Sequence, residues 1–176
     1  NDMVSIFSTR AVKLGQNISL NDKAVQKFEL ALKKLCLNLA KQIVVDGEGA
    51  KKFITIKVTN SKSIISAKKI AFAVGNSPLL KTAVAGEDPN WGRIIMGIGK
   101  SGEIVDSEKI IIKFGDFVVA ENGKISDSYN EENLKEYMKW DSIRIEINLN
   151  QGGETFECYT CDFTHDYIDI NADYRN

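Results

Sequence analysis

The sequence predicts an α+β fold, a layered α/β sandwich, from three observations. One long segment repeats its apolar residues at spacings of three and four, the signature of a helix with one buried face. Several shorter segments alternate apolar and polar residues with period two, as strands do. These segments succeed one another as helix, strand, helices, strands, helix, strands, which departs from a regular βαβ alternation. The 176 residues, 27% charged and 43% hydrophobic, have the balance of a globular chain and form one expected domain, residues 1–176.

The first element is a helix from Asp22 to Val44. Val25, Phe28, Leu32, Leu35, Leu39 and Ile43 line one face of it, and Ser19 or Asn21 supplies an N-cap oxygen. It stops at Asp46-Gly47-Glu48-Gly49, where two glycines open backbone angles closed to other residues. Lys52–Thr59 reads as a strand with Ile54, Ile56 and Val58 on one face. Ser63 caps a helix running to Val74, with Gly75 ending it. Ser77-Pro78 pairs an N-cap with proline at the first helical position and opens a short helix to Ala85. Asp88-Pro89 repeats the device for a helix to Ile98.

In the second half, Lys109–Phe114 and Phe117–Ala120 are short apolar strands, and Asn122-Gly123 is a hairpin turn. A helix over Glu131–Trp140 precedes a strand in which Ile143, Ile145, Ile147 and Leu149 alternate with polar residues. Gln151-Gly152-Gly153 turns the chain into a last strand, Thr155–Asp162, and the polar, aromatic tail Ile168–Asn176 reads by default as a frayed end, although a tail reaching into a site would look the same.

Charge and cysteine content exclude several functions. Lys+Arg of 23 against Asp+Glu of 24 gives a net charge of −1, without the basic footprint of a nucleic-acid or acidic-membrane partner. No apolar run has the length of a membrane span. Three cysteines make no disulfide framework, which places the chain in the reducing cytoplasm. Asn1-Asp2 follows no Met and no signal peptide, so the chain is expected to be processed or part of something longer.

Four segments are candidates for chemistry. Glu48, between two glycines at the end of a long helix, sits where a general base or a grip on a substrate amine would fit; the ordinary reading is a solvated turn. In Gly86-Glu87-Asp88-Pro89-Asn90-Trp91-Gly92-Arg93, a helix N-terminus with Asn90 and Arg93 offers donors to an anion. Glu87 and Asp88 oppose that, and a capped helix with Trp91 in the core is the ordinary alternative. Cys158-Tyr159-Thr160-Cys161 with His165 has the residue types of a zinc site, yet residues three apart on a strand face opposite ways, which favours buried structural cysteines. Gly97–Gly102 fails as a phosphate-binding loop, because it lacks the first glycine and follows a helix.

Read as an ordered set, these segments resemble a known family. Asp46-Gly47-Glu48-Gly49-Ala50, Ser77-Pro78-Leu79, Gly86 through Arg93, Cys161-Asp162-x-Thr164 and Ile170-Asn171-Ala172-Asp173-Tyr174-Arg175 occur in this order. They are similar to the C-terminal part of the ornithine acetyltransferases, or glutamate N-acetyltransferases, of arginine biosynthesis, and the resemblance covers the whole chain. It implies a sandwich related to self-processing aminopeptidases, incomplete here without its upstream part. It further implies a precursor that cleaves itself before a threonine into α and β chains, assembled as a cytoplasmic α2β2 heterotetramer.

That threonine carries the acetyl group from N2-acetylornithine to glutamate, some members also using acetyl-CoA as donor, and no metal or prosthetic group is needed. By the resemblance Asn1-Asp2 is the end of the segment that follows the cleavage-site threonine, so the nucleophile lies upstream and this chain alone is expected to be inactive. Its partners are then the α chain and the upstream β-chain segment of the same precursor. Glu48 matches the family's catalytic and substrate-contacting glutamate, Asn171 a substrate-binding asparagine, and Asn176 stands where the last substrate contact is usually Ser or Thr. Lys51 replaces a small polar residue beside Glu48. The alternatives are a related self-processing aminopeptidase-type hydrolase, which would pass its acyl group to water, and a non-catalytic binding or assembly module, held by zinc on Cys158, Cys161 and His165.

Overall fold

The computed structural model describes residues 3–9, 11 and 19–172. Its chain divides into two compact units, one ending at Ala40 and one beginning at Lys41. The first unit contains most of helix α1, Lys23–Val45. Ahead of it the Asp22 carboxylate accepts from the Ser19 N–H, while the Ser19 hydroxyl accepts from Asn21 N–H. The expected cap oxygen of Ser19 therefore serves the turn before the helix. None of the α1 residues is buried, and Phe28, Leu35, Leu39 and Ile43 of the apolar stripe are exposed.

The second unit is built on β1 (Phe53–Ser61), β2 (Ile111–Phe114), β3 (Phe117–Glu121), β4 (Lys124–Ile125), β5 (Ser142–Asn148) and β6 (Glu154–Cys161). Among the described residues these form one mixed sheet in the order β4-β3-β2-β5-β1-β6. The pair β1–β5 is parallel, with Ile54 opposite Ile143 and Ile56 opposite Ile145; the other neighbours are antiparallel. The period-two pattern decides the faces. Ile54, Ile56 and Val58 of β1 and Ile143, Ile145 and Ile147 of β5 are wholly buried, while Phe53, Thr55 and Lys57 between them are half-covered.

The buried face joins one core with helices α2 (Ile64–Gly75), α3 (Pro78–Ala85), α4 (Trp91–Lys100) and α5 (Glu131–Met138). Ser63 caps α2, and Ser77 with Pro78 opens α3, as the sequence predicts. Glycine brings α4 against α2: a Cβ at Gly97 would stand 3.1 Å from Val74. The β3–β4 turn has Asn122 and Gly123 at φ 51° and 72°, the paired left-handed conformation that the Asn-Gly hairpin signal requires.

Of the differences from expectation, three matter most. Helix α4 starts at Trp91, because the Asn90 side chain caps it by accepting from Arg93 N–H, leaving Asp88 and Pro89 in the connection. Helix α5 ends at Met138, where Lys139 is its C-cap, so Trp140 lies beyond it. Of the tail expected to fray, Ile168–Ala172 instead belongs to helix α6, His165–Ala172. Asn176 lies outside the described residues.

Candidate active site

Glu48 sits in the short turn between α1 and β1, and three attachments fix that turn to the segment after β6. The Asp162 carboxylate, 3% exposed, accepts through Oδ1 from Lys51 N–H at 2.8 Å and Lys52 N–H at 3.0 Å. The Thr164 hydroxyl donates to the Gly49 carbonyl at 2.6 Å. Gly49 itself is at φ +70°, and a Cβ there would lie 2.6 Å from Tyr167 N, inside the first turn of α6. Only glycine meets both demands. Gly47 plays a different part: it needs no left-handed angle, but a Cβ would be 3.2 Å from Cys161 Sγ.

The same attachments explain why α6 is ordered although its sequence does not announce it. Phe163 and Tyr167 pack as a tilted ring pair with centroids 4.6 Å apart, and Lys51 pairs with Asp166 at 2.9 Å. The Asp166 carboxylate holds the Lys51 ammonium above its ordinary pKa through that hydrogen bond and its charge. Lys51 thus ties the turn to the helix.

One turn of α6 further on, Asn171 reaches back to the turn. Its Nδ2 donates to Glu48 Oε2 at 2.8 Å and to the Tyr167 carbonyl at 2.9 Å. Glu48 and Asn171, 123 positions apart in sequence, are therefore in direct contact, and both are exposed. One carboxylate oxygen of the exposed Glu48 side chain, Oε2, is thus held by Asn171. That is the form of a carboxylate able to accept a proton or a substrate amine. A neighbouring cavity of about 450 Å³, lined by Lys51, Thr82, Phe163, Thr164 and Asp166 among others, is formed without either residue.

The Gly86–Arg93 segment turns out to be architectural. Lys52, nearly buried, donates from Nζ to the Met138 carbonyl at 2.9 Å, the Trp140 carbonyl at 3.2 Å and Glu87 Oε1 at 3.3 Å. Arg93 donates to the Leu79 carbonyl at 2.6 Å and to Thr82 Oγ1 at 3.2 Å. Asn90 donates to Asp88 Oδ2 while its own oxygen caps α4. The Asn90 amide and one guanidine nitrogen of Arg93 are thus engaged within the fold. Trp91 packs half-buried against the core.

Cys158 is buried, with its thiol donating to the Ala71 carbonyl, and burial pushes its pKa up to about 12. Cys161 is half-covered and His165 exposed. Opposite β1, Cys158 faces Ile56 and Cys161 faces Phe53, residues of alternate faces, so the strand separates the two thiols. Among the described residues no group of three His, Cys, Asp or Glu side chains is placed to hold a metal, and no helix is long and apolar enough to cross a membrane.

Compared with known families, residues 1–176 match the model of the ArgJ family. The chain belongs to the ArgJ family. The arginine biosynthesis bifunctional protein ArgJ of Ruegeria pomeroyi is 50% identical over 85% of this chain and 37% of its own length. The ArgJ of Gluconobacter oxydans is 43% identical over all of this chain and 42% of its own length. The chain thus spans about two-fifths of the curated ArgJ relatives. The crystal structure of ArgJ from Bacillus halodurans superposes with a TM-score of 0.84 at 39% identity, covering 89% of this chain and 74% of that one. The expected layered α+β architecture is therefore that of a solved ArgJ.

Sequence reasoning singled out Glu48 and Asn171 but gave no part to Asp162 and Thr164. The available signal was two side chains of opposite hydrogen-bonding character, an acceptor and a donor, placed two residues apart just past a strand.

Proposed function

We propose that this chain is part of an acetyltransferase that moves the acetyl group of N2-acetylornithine to glutamate, and that it supplies Glu48 and Asn171 to the site. The nucleophilic threonine and the donors for the oxyanion come from the remainder of the protein, an α chain and an upstream β-chain segment. The complete enzyme is read as a cytoplasmic α2β2 assembly, with acetyl-CoA as a further donor. The exposed apolar stripe of α1 is the surface this reading assigns to the missing partners. What carries the reading is the 2.8 Å hydrogen bond that joins Asn171 to Glu48, within a chain of the ArgJ family.

In this mechanism the threonine hydroxyl oxygen attacks the acetyl carbon, and its proton passes to Glu48, directly or through the threonine's amine. The C–N bond breaks, ornithine leaves with the proton returned to its nitrogen, and an acetyl-threonine ester remains. The glutamate amine then attacks the ester, giving N-acetylglutamate and restoring the hydroxyl. Asn171 keeps Oε2 occupied so that Oε1 faces the reacting groups, and its amide is also placed to meet the amino-acid end of a substrate.

The test is Glu48→Gln in the complete gene product, assayed for acetyl transfer with folding followed by circular dichroism. Removing a general base should cost roughly 10²–10⁴-fold in turnover while the fold persists; near wild-type turnover would take Glu48 out of the mechanism. The purified 176-residue chain should transfer nothing, and measurable turnover by it would place the nucleophile elsewhere.

A further inference from the structure

We propose that Asp162 and Thr164 are positioning residues for Glu48, acting through the backbone of the turn that carries it; this rests on the acyl-transfer reading above. A carboxylate on a short turn is only as well aimed as the turn is fixed, and a displacement near 1 Å is enough to cost about 10²-fold in rate. Asp162 and Thr164 grip this turn from its two chemical sides, one accepting from two N–H groups and the other donating to a carbonyl. They do so from the strand end that leads directly into α6, the helix that brings Asn171 to Glu48.

The circuit is closed. It runs from Asp162 and Thr164 to the turn, from Glu48 to Asn171, and back along α6 to Thr164. Gly49 seats the turn against the start of the same helix, so neither half shifts without the other.

Asp162 also carries a cost that packing alone would not retain. Its second oxygen, Oδ2, is buried without a hydrogen-bond partner among the described residues, and an unsatisfied buried carboxylate oxygen is expensive. An apolar residue would fill the space without that penalty, but it would leave the Lys51 and Lys52 N–H groups undirected. Their hydrogen bonds to the turn are made to its backbone, so their influence on Glu48 is through geometry.

The experiment uses the complete gene product with Thr164→Val, which keeps the shape and removes the donor, and Thr164→Ser, which keeps the donor. Thr164→Val should lower kcat about 10- to 100-fold, and Thr164→Ser should restore it to near the wild-type value. Added to Glu48→Gln, Thr164→Val should cost less than about two-fold more, because a group acting through Glu48 loses its lever once that carboxylate is gone. Equal turnover in the Val and Ser variants, or an undiminished loss on the Glu48→Gln background, overturns the proposal.

Amide hydrogen exchange gives a readout independent of transfer. The N–H groups of Lys51 and Lys52 should exchange faster in Thr164→Val, while those of β5 stay as they are. If the wild-type protein transfers no acetyl group, the acyl-transfer reading falls by itself and exchange alone decides: unaltered protection of Lys51 and Lys52 overturns the clamp. If Thr164→Val does not fold, Asp162→Asn takes its place with the same readouts.

Discussion

Helices α1 and α2 both carry apolar side chains in excess of what a solvated helix needs. In α2, 12 residues long, Ala67, Ile70, Ala71 and Val74 are buried against the sheet. In α1, 23 residues long and with an apolar residue every three or four positions, no residue is buried. Phe28 is 62% exposed and Ile43 59%. The difference separates two things that periodicity conflates. A 3.6-residue repeat reports that a helix face requires an apolar partner, but nothing in it names where that partner lies. For α2 the partner is in the same unit; for α1 the proposal assigns it to the rest of an ArgJ protein.

The largest effect should come from testing the two faces directly. Ile70→Ala opens a cavity in a filled core and should cost about 2–5 kcal/mol in urea unfolding of this chain. Leu35→Ala should change stability by no more than about 0.5 kcal/mol. In the complete protein the same α1 substitution should approach the core value; an unchanged midpoint there would leave α1 without a covering partner.

A second contrast lies two residues apart on α4. Gly97→Ala pushes a methyl to within 3.1 Å of Val74 and should cost about 1–3 kcal/mol. Around Gly99 a Cβ would meet nothing within 4 Å, so Gly99→Ala should stabilise the helix by about 0.5–1 kcal/mol. Thermal unfolding of the two variants checks both signs, and a loss at Gly99 would mean that its surface is covered as well.

The third contrast compares two carboxylates through pH. Hydrogen bonds from Ser66, Lys69 and Lys62 hold the Glu103 carboxyl down at about 2, from 4.5. Glu29 on α1 is lowered by Lys33 alone, in an exposed ion pair. A depressed folded-state pKa adds stability above about 4.5 that is lost as pH falls toward about 2. The stability gap between wild type and Glu103→Gln should therefore shrink over that window, with a smaller change for Glu29→Gln. Parallel acid-unfolding profiles for wild type and Glu103→Gln would refute the linkage.

Most of the fold was legible because its signals are local. Alternation assigned Ile54, Ile56 and Val58 to the core, Ser63 and Ser77 announced their helices, and Asn122-Gly123 announced its hairpin. The start of α4 was misplaced because Pro89 and Asn90 both fit a helix N-terminus, and the choice between them depends on the Asn90 side chain reaching Arg93 N–H. Helix α6 was missed for a different reason. Its mixed pattern of Tyr167, Ile168 and Ile170 fits no single face, and it is held by contacts to a turn more than a hundred positions earlier. The site follows the same division. Glu48 stood out by its flanking glycines and Asn171 by its motif, while the parts of Asp162 and Thr164 are visible only once strand end and turn are adjacent.

Strand β1 has a consequence for how the chain is made. In the sheet it lies between β5 and β6, and the nearer of these begins at Ser142, roughly eighty residues after β1 ends at Ser61. A ribosome adding about 5–20 residues per second needs on the order of ten seconds to supply that neighbour. Throughout that interval both edges of β1 lack their native pairing. Such an exposed, β-prone edge is where nascent chains associate with one another. Soluble yield is then governed by how β1 is protected during translation, and slower synthesis between residues 62 and 141 would lower it.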